Sequence, residues 1–320
     1  MGDTMNIAFI EPLTKGWNRM KIALFKPFDL NKWMVVGFNA FLAGLLEGHK
    51  GGNGARASEN RDFGWHDFFH FPTRVWEWLM DNPGWFIAII FLTLFLIAVL
   101  IVLTWVSSRG KFMFLDNVVL DKAEIAKPWK EYARESNSLF VWRLAYGFIV
   151  FGIFLGYFAF LFVGGAGIYE ALDSPVFPIL FVVGWGLLFL VLAIATGYIS
   201  LFLSDFVVPI MYKYRLPTVT AWRKFLALFR KAPFQLLLYG LMIFGLGILF
   251  VIAVIAAGLM TCCIGILLLI IPYVGTVVTL PIWYTYRAFS LEFLAQFGPE
   301  YTLFPEQSGT APTPIHIEEK

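Results

Sequence analysis

Apolar residues in this chain come in long unbroken runs, not in two-residue alternation. From Pro83 to Ser107 (PGWFIAIIFLTLFLIAVLIVLTWVS) more than twenty consecutive positions pass without a charge. A helix rises about 1.5 Å per residue, so such a run covers a hydrocarbon core of roughly 30 Å. Reading every run this way predicts six spans, at residues 32–48, 84–106, 144–168, 176–203, 234–258 and 264–286. The first is short and carries Asn39, which leaves open a re-entrant or interfacial helix. The sixth contains Pro272, Gly275 and Pro281, which predict a kink or a break.

The polar positions between the runs are strongly asymmetric. Lys15, Arg19, Lys21, Lys26 and Lys32 precede the first span, seven further Lys and Arg lie between spans two and three, and six between spans four and five. With Arg287 and Lys320, one side holds twenty basic residues; the other holds Lys50, Arg56, Arg61 and Arg74, all in one loop over 49–82. Basic loops stay in the cytoplasm, so both termini are expected inside. The basic segments are themselves patterned. In Thr218–Lys231, Trp222, Phe225, Leu226 and Phe229 share one helix face, with Arg223, Lys224, Arg230 and Lys231 largely elsewhere. Trp17, Met20 and Leu24 repeat this near the N-terminus, and Ile125, Trp129 and Tyr132 repeat it beside Lys130. Each segment reads as an amphipathic helix lying on the cytoplasmic leaflet, its cations among lipid phosphates.

These helices suggest a repeat. A shift of 93 residues superposes Trp129 on Trp222, Tyr146 on Tyr239, Gly147 on Gly240, Phe151 on Phe244 and Gly152 on Gly245. The expected unit is an amphipathic helix followed by a two-span hairpin, used three times over 7–107, 108–203 and 204–290. The expected fold class is thus an all-α membrane protein of about six transmembrane helices. It forms one polytopic domain over 1–295, with a disordered cytoplasmic tail over 296–320 where Pro, Gly, Ser and Glu accumulate.

Composition agrees and narrows the chemistry. The 320 residues are 59% hydrophobic and only 14% charged, against about 25% charged in soluble domains. Cys262 and Cys263 are adjacent and make no disulfide framework. The first thirty residues lack the apolar core of a cleavable signal peptide, so the first hydrophobic helix is expected to direct insertion.

The Trp/basic helix entering each odd span, the Ser107–Ser108–Arg109–Gly110 exit from span two and the Pro272–Tyr273–Val274–Gly275 break carry a resemblance. The chain resembles uncharacterised six-span prokaryotic integral membrane proteins. These are similar to the membrane domain attached to some bacterial glycerophosphodiester phosphodiesterases. The resemblance covers most of 7–295 and implies no catalytic residue and no cofactor, because no phosphodiesterase domain follows span six.

Candidate site residues are few. His66 and His70 stand at i and i+4 in the outer loop, a spacing able to hold zinc, with Asp67 where metalloprotease helices carry Glu. His49, Asp62, Glu77 and Asp81 are the nearest candidates for a third ligand, and the surrounding aromatics favour a helix resting on the outer interface. Asp205, Arg143, Arg109 and Arg287 flank the basic ends of spans and form a candidate polar or lipid-phosphate cluster, to which Lys130, Arg223 and Lys224 add interfacial cations. No nucleophile with a base and no phosphate-binding loop is present. The expected function is a non-enzymatic scaffolding, accessory or assembly role in the prokaryotic inner membrane. The lipid bilayer and a membrane protein are the expected partners, and nucleic acid is not. A transporter or lipid-translocating protein is the alternative, and a zinc-dependent membrane enzyme the minor one.

Overall fold

The apolar runs fold as helices because nothing else satisfies every backbone N–H and C=O within one segment in lipid. A computed structural model describes residues 7–46, 65–172, 177–260 and 271–305. Among these residues every regular element is helical. In chain order they are α1 (Ile10–Phe25), α2 (Leu30–Gly44), α3 (Trp65–Phe69), α4 (Phe71–Asp81), α5 (Pro83–Leu120), α6 (Ala126–Glu131) and α7 (Ala133–Ala159). Then follow α8 (Gly165–Leu172), α9 (Phe177–Phe202), α10 (Val208–Tyr214), α11 (Thr218–Lys231), α12 (Pro233–Met260), α13 (Pro272–Val278) and α14 (Leu280–Ala295). Widened π turns at Phe160–Gly164 and Leu203–Val207 join α7 to α8 and α9 to α10.

Among the described residues four stretches are long and apolar enough to cross a membrane: Pro83–Leu120, Ala133–Glu170, Pro178–Tyr214 and Pro233–Met260. They contain the second to fifth predicted spans. At 38 residues, α5 is about 57 Å long, nearly twice a hydrocarbon core. Its surplus decides the fold. In the most apolar window of the four stretches only 0, 11, 0 and 6% of residues are buried, so these windows hold little of the core and meet at scattered points such as Tyr157 and Trp185. Past Val106 the same helix changes role: Phe112, Met113 and Leu115 are fully enclosed. The continuation of α9 through α10 and the length of α14 do likewise, with Phe206, Val207, Met211, Phe289 and Phe293 in the same core. The core therefore sits at the basic end of the spans.

The outer predicted spans come out differently. α2 has 15 residues, about 22 Å of helix, against a hydrocarbon core of roughly 30 Å. It packs on α5 and α13, with Gly37 against Val277 and the Asn39 amide donating to the Glu124 carbonyl at 3.1 Å. Of the sixth span, residues 264–270 lie outside the described residues, as do Cys262 and Cys263. The remainder is divided into α13 and α14 at Thr279, two residues before Pro281. Proline has no N–H to donate, so the helical ladder cannot run through unbroken.

The amphipathic stripes also face another way than expected. Met20, Leu24, Tyr132 and Phe225 are buried in the protein core, while Trp17, Ile125 and Leu226 of the same stripes stay exposed. α1 crosses α14 where Gly16 meets the backbone of Phe289, and Arg19 Nε bonds Glu292 Oε1 at 2.6 Å. Residues 296–304, expected to belong to a disordered tail, pack on α1. Gln296 exchanges hydrogen bonds with the Ala8 backbone at 2.8 and 2.9 Å, and Phe304 lies buried under the Arg19 guanidinium.

A Cβ on Gly110 would stand 2.6 Å from the backbone of Leu42 and Ala43, whereas one on Gly152 meets nothing within 4 Å. Gly110→Ala should therefore force α2 off α5 and cost about 1–3 kcal/mol. Gly152→Ala on the lipid-exposed stretch should be silent. Thermal unfolding in detergent separates the two, and equal midpoints would refute this placement of the core.

Candidate functional site

Where α5 leaves its apolar run, five consecutive residues tie it to its neighbours. Ser107 Oγ donates to the Ala43 carbonyl of α2 at 3.0 Å and accepts from Arg143 Nη1 of α7 at 3.1 Å. Ser108 Oγ turns back to the Thr104 carbonyl at 2.7 Å and also accepts from Arg143, at 3.2 Å. The Arg109 guanidinium lies 4.9 Å from the Trp105 ring centre and 4.8 Å from that of Trp129. Its Nη1 donates to the Trp129 carbonyl at 3.0 Å. Gly110 admits α2, as above. Lys111, 2% exposed, sends its Nζ to Ser204 Oγ at 3.0 Å.

Lys111 leads into a buried polar cluster. Arg287 Nη1 of α14 donates to the Ser204 carbonyl at 2.9 Å and lies 3.9 Å from Asp205 Oδ1. Tyr239 of α12, fully enclosed, donates to Asp205 Oδ2 at 2.9 Å. Local sequence explains why the Ser204 carbonyl is available. It lies in the π turn, where a carbonyl pairs with the N–H five residues on. That residue is Pro209, which has no N–H, and Arg287 supplies the missing donor. Two cations and a carboxylate thus join α5, α9, α12 and α14 in the centre of the core. Around them rings stack from helix to helix. Phe225 lies on Phe206 (5.6 Å, 11°), Phe206 beside Tyr239 (4.9 Å), and Tyr239 against Phe289 (5.4 Å, 20°) and Phe293 (4.7 Å).

A second cluster holds α6 to α10. Tyr132 and Tyr212 both donate to Asp116 Oδ1, at 3.1 and 2.8 Å, and their rings stack at 4.9 Å. The Arg215 guanidinium sits 3.9 Å over the Tyr132 ring and pairs with Glu131. Burial pushes the Tyr132 phenol up to about 12, with the Asp116 charge adding to it.

The structure thus brings Asp205 and Arg287 together, while Arg109 and Arg143 lie apart from them at the α5–α7 junction. Lys130 and Arg223 are exposed, and exposed Lys224 stands 3.5 Å over the Tyr214 ring. Sequence reasoning missed Lys111, Ser204 and Tyr239. The phase of Lys111 within an enclosed helix end was the signal that could have found them. His66 and His70 face each other at 4.3 Å between ring centres, and His70 Nε2 lies 3.2 Å from Glu170 Oε1 of α8, out of line for a hydrogen bond. Among the described residues no group of three His, Cys, Asp or Glu is arranged to hold a metal. His49 and Asp62 lie outside them.

A model of the family of unknown function DUF7544 matches residues 8–304, and the chain belongs to that family. The matched span begins and ends at the contacts that tie Ala8 and Phe304 into the core. No curated protein and no solved structure matches, so the resemblance to the membrane domain of the phosphodiesterases gains no support there.

Two outcomes follow from these clusters. Asp205→Asn leaves buried cations without their carboxylate and should cost about 3–5 kcal/mol. Tyr239→Phe removes one hydrogen bond and should cost about 1 kcal/mol. Thermal midpoints in detergent should therefore fall in that order. The raised Tyr132 pKa favours the neutral phenol in the folded state. Its stabilisation is complete below the unfolded value of about 10 and is lost as pH climbs through about 12. Midpoints recorded from pH 9 to 12 should drop less steeply in Tyr132→Phe than in the parent.

Proposed function

We propose that this member of DUF7544 is a non-enzymatic scaffold or assembly subunit of a prokaryotic inner membrane, presenting its spans to another membrane protein. The observation that carries this is how few residues in the apolar windows of the four long stretches are buried, above a tightly packed basic end. Helices that meet only at scattered points inside the bilayer, such as Tyr157 on the Trp185 carbonyl at 2.7 Å, leave room for lipid or for the spans of a partner. The polar groups that would line a solute path are engaged elsewhere. Tyr198 bonds the Leu237 carbonyl at 3.0 Å, Thr196 bonds its own helix at 2.9 Å, and the Asn39 amide bonds Glu124. An open groove of about 440 Å³ between α1, α12 and α14, lined by Leu13, Trp17, Leu246, Phe250, Ile282 and Tyr286, is almost wholly apolar and suits acyl chains or helices better than a polar solute.

On this reading the chain makes about six crossings from three parallel units, with both termini in the cytoplasm. A shift of 93–94 residues supports the kinship of the second and third units. It relates the Phe112–Tyr132 stack (6.0 Å, 12°) to the Phe206–Phe225 stack (5.6 Å, 11°). It also relates the left-handed residues closing α5 and α10, Asp121 and Arg215, both at φ 53°.

Native mass spectrometry after mild extraction from the source membrane should find a stoichiometric protein partner. A lone chain carrying one defined small molecule would favour transport and sink the scaffold reading. In intact spheroplasts of a variant with Cys262 and Cys263 replaced, a cysteine at Arg74 should react with an impermeant maleimide and one at Lys231 should not. The reverse result would invert the topology.

A further inference from the structure

Among the described residues Arg109 has no opposite charge in its surroundings. Its neighbours are two indoles, the Trp129 carbonyl and, at 3.5 Å, the Asn137 side-chain oxygen. Among the described residues no carboxylate lies within 4.0 Å of it, nor of Lys127, Lys130 or Arg134 on the adjoining α6 and α7. The acids nearby in sequence are committed to other cations: Glu124 to Lys122, Glu131 to Arg215, and Glu135 facing Arg215 at 3.9 Å. The face formed by the end of α5, α6 and the start of α7 is therefore basic and locally uncompensated.

Its depth and geometry say what compensates it. Arg109 follows directly on the apolar run of α5, at the level where a bilayer's phosphates begin, and Trp105 and Trp129 are half-buried at the same level, as belt residues are. The two indoles stand perpendicular at 5.6 Å and grip the guanidinium. A guanidinium has five N–H donors. Nη1 and Nη2 each have one committed donor, Nε is enclosed, and one N–H on each Nη is left over. That pair suits two oxygens of one phosphate.

We propose that the junction of α5, α6 and α7 binds the headgroup phosphate of an anionic phospholipid. Arg109 in its indole clamp is the direct contact, and Lys127, Lys130 and Arg134 supply the attracting field. This deepens the lipid-facing part of the scaffold reading but does not depend on a protein partner, so the two fail separately.

The test uses the full chain in mild detergent, with dioleoylphosphatidylglycerol and dioleoylphosphatidylcholine added in turn and bound lipid counted by native mass spectrometry. The parent should retain one phosphatidylglycerol at least about tenfold more tightly than phosphatidylcholine, about 1.4 kcal/mol. Millimolar inorganic phosphate should not displace it. Arg109→Gln should lose that preference, and Arg109→Lys, which keeps the charge but not the paired donors, should retain only part of it. The exposed triple variant Lys127→Gln, Lys130→Gln, Arg134→Gln should weaken retention roughly threefold and flatten its salt dependence. It keeps the question decidable if Arg109→Gln does not fold. Four results would overturn the site: equal retention of both lipids, unchanged retention in Arg109→Gln, displacement by free phosphate, or an acidic protein segment cross-linking to Arg109 in place of lipid.

Discussion

Inside a bilayer, apolar side chains gain nothing hydrophobic by leaving lipid for one another. That constraint organises the whole molecule. The long stretches of α5, α7, α9 and α12 are content in lipid, and their apolar windows stay exposed. Cohesion has to come from where water returns and burial is again favourable, at the basic end. There α5 outlasts the membrane by several turns and becomes the axis of the core. The run Ser107–Lys111 gathers the other helices onto it: a serine for α2, an arginine of α7 on both serines, a glycine for close approach, and a lysine reaching the turn between α9 and α10.

The charged centre of that core contributes position more than stability. Burying Lys111, Asp205 and Arg287 costs desolvation that apolar residues of similar volume would avoid. What the charges add is register. Only one sliding position of α14 brings Arg287 to a carbonyl that Pro209 has left without a donor, and only one rotation of α12 points Tyr239 at Asp205. Apolar packing alone among so many Phe side chains would tolerate neighbouring registers, since rings stack acceptably over several angles. The π turn of Leu203–Val207 fits the same account, because it opens the helix wall where the arginine enters.

How much of this was legible in the sequence depended on what each pattern records. Unbroken apolar runs record length against a bilayer, so the apolar parts of the four long stretches were readable, but not the 11 to 14 further residues by which three of them extend at the basic end. A helical stripe records that one face is apolar, but not what covers it. Met20, Leu24 and Phe225 gave the same signal that a leaflet-bound helix would give, and they cover protein. Lys111 was hidden for the same reason, since a lysine just past an apolar run ordinarily snorkels to water, and enclosure by α9–α10 is a tertiary fact. The i, i+4 spacing of His66 and His70 was visible, but Glu170 joins them from about a hundred residues away. The end of α14 misled through composition: Pro299 and Pro305 suggest a loose tail, while Gln296 and Phe304 are held by α1.

The division of labour between the two ends bears on function. A carrier that alternates access must move packed helices past one another around a shared site at the midplane. Here the packed part lies beyond the midplane, and the midplane windows have little protein to move against. A core fixed by buried charges at one end, with compliant apolar helices rising from it, is instead suited to holding other spans in place. The rigid end sets the spacing of its helices, and the bilayer leaves the intervals between them to be filled. The three amphipathic helices put part of their apolar faces into the core and keep most of their cations outward, an arrangement suited to the depth of lipid phosphates.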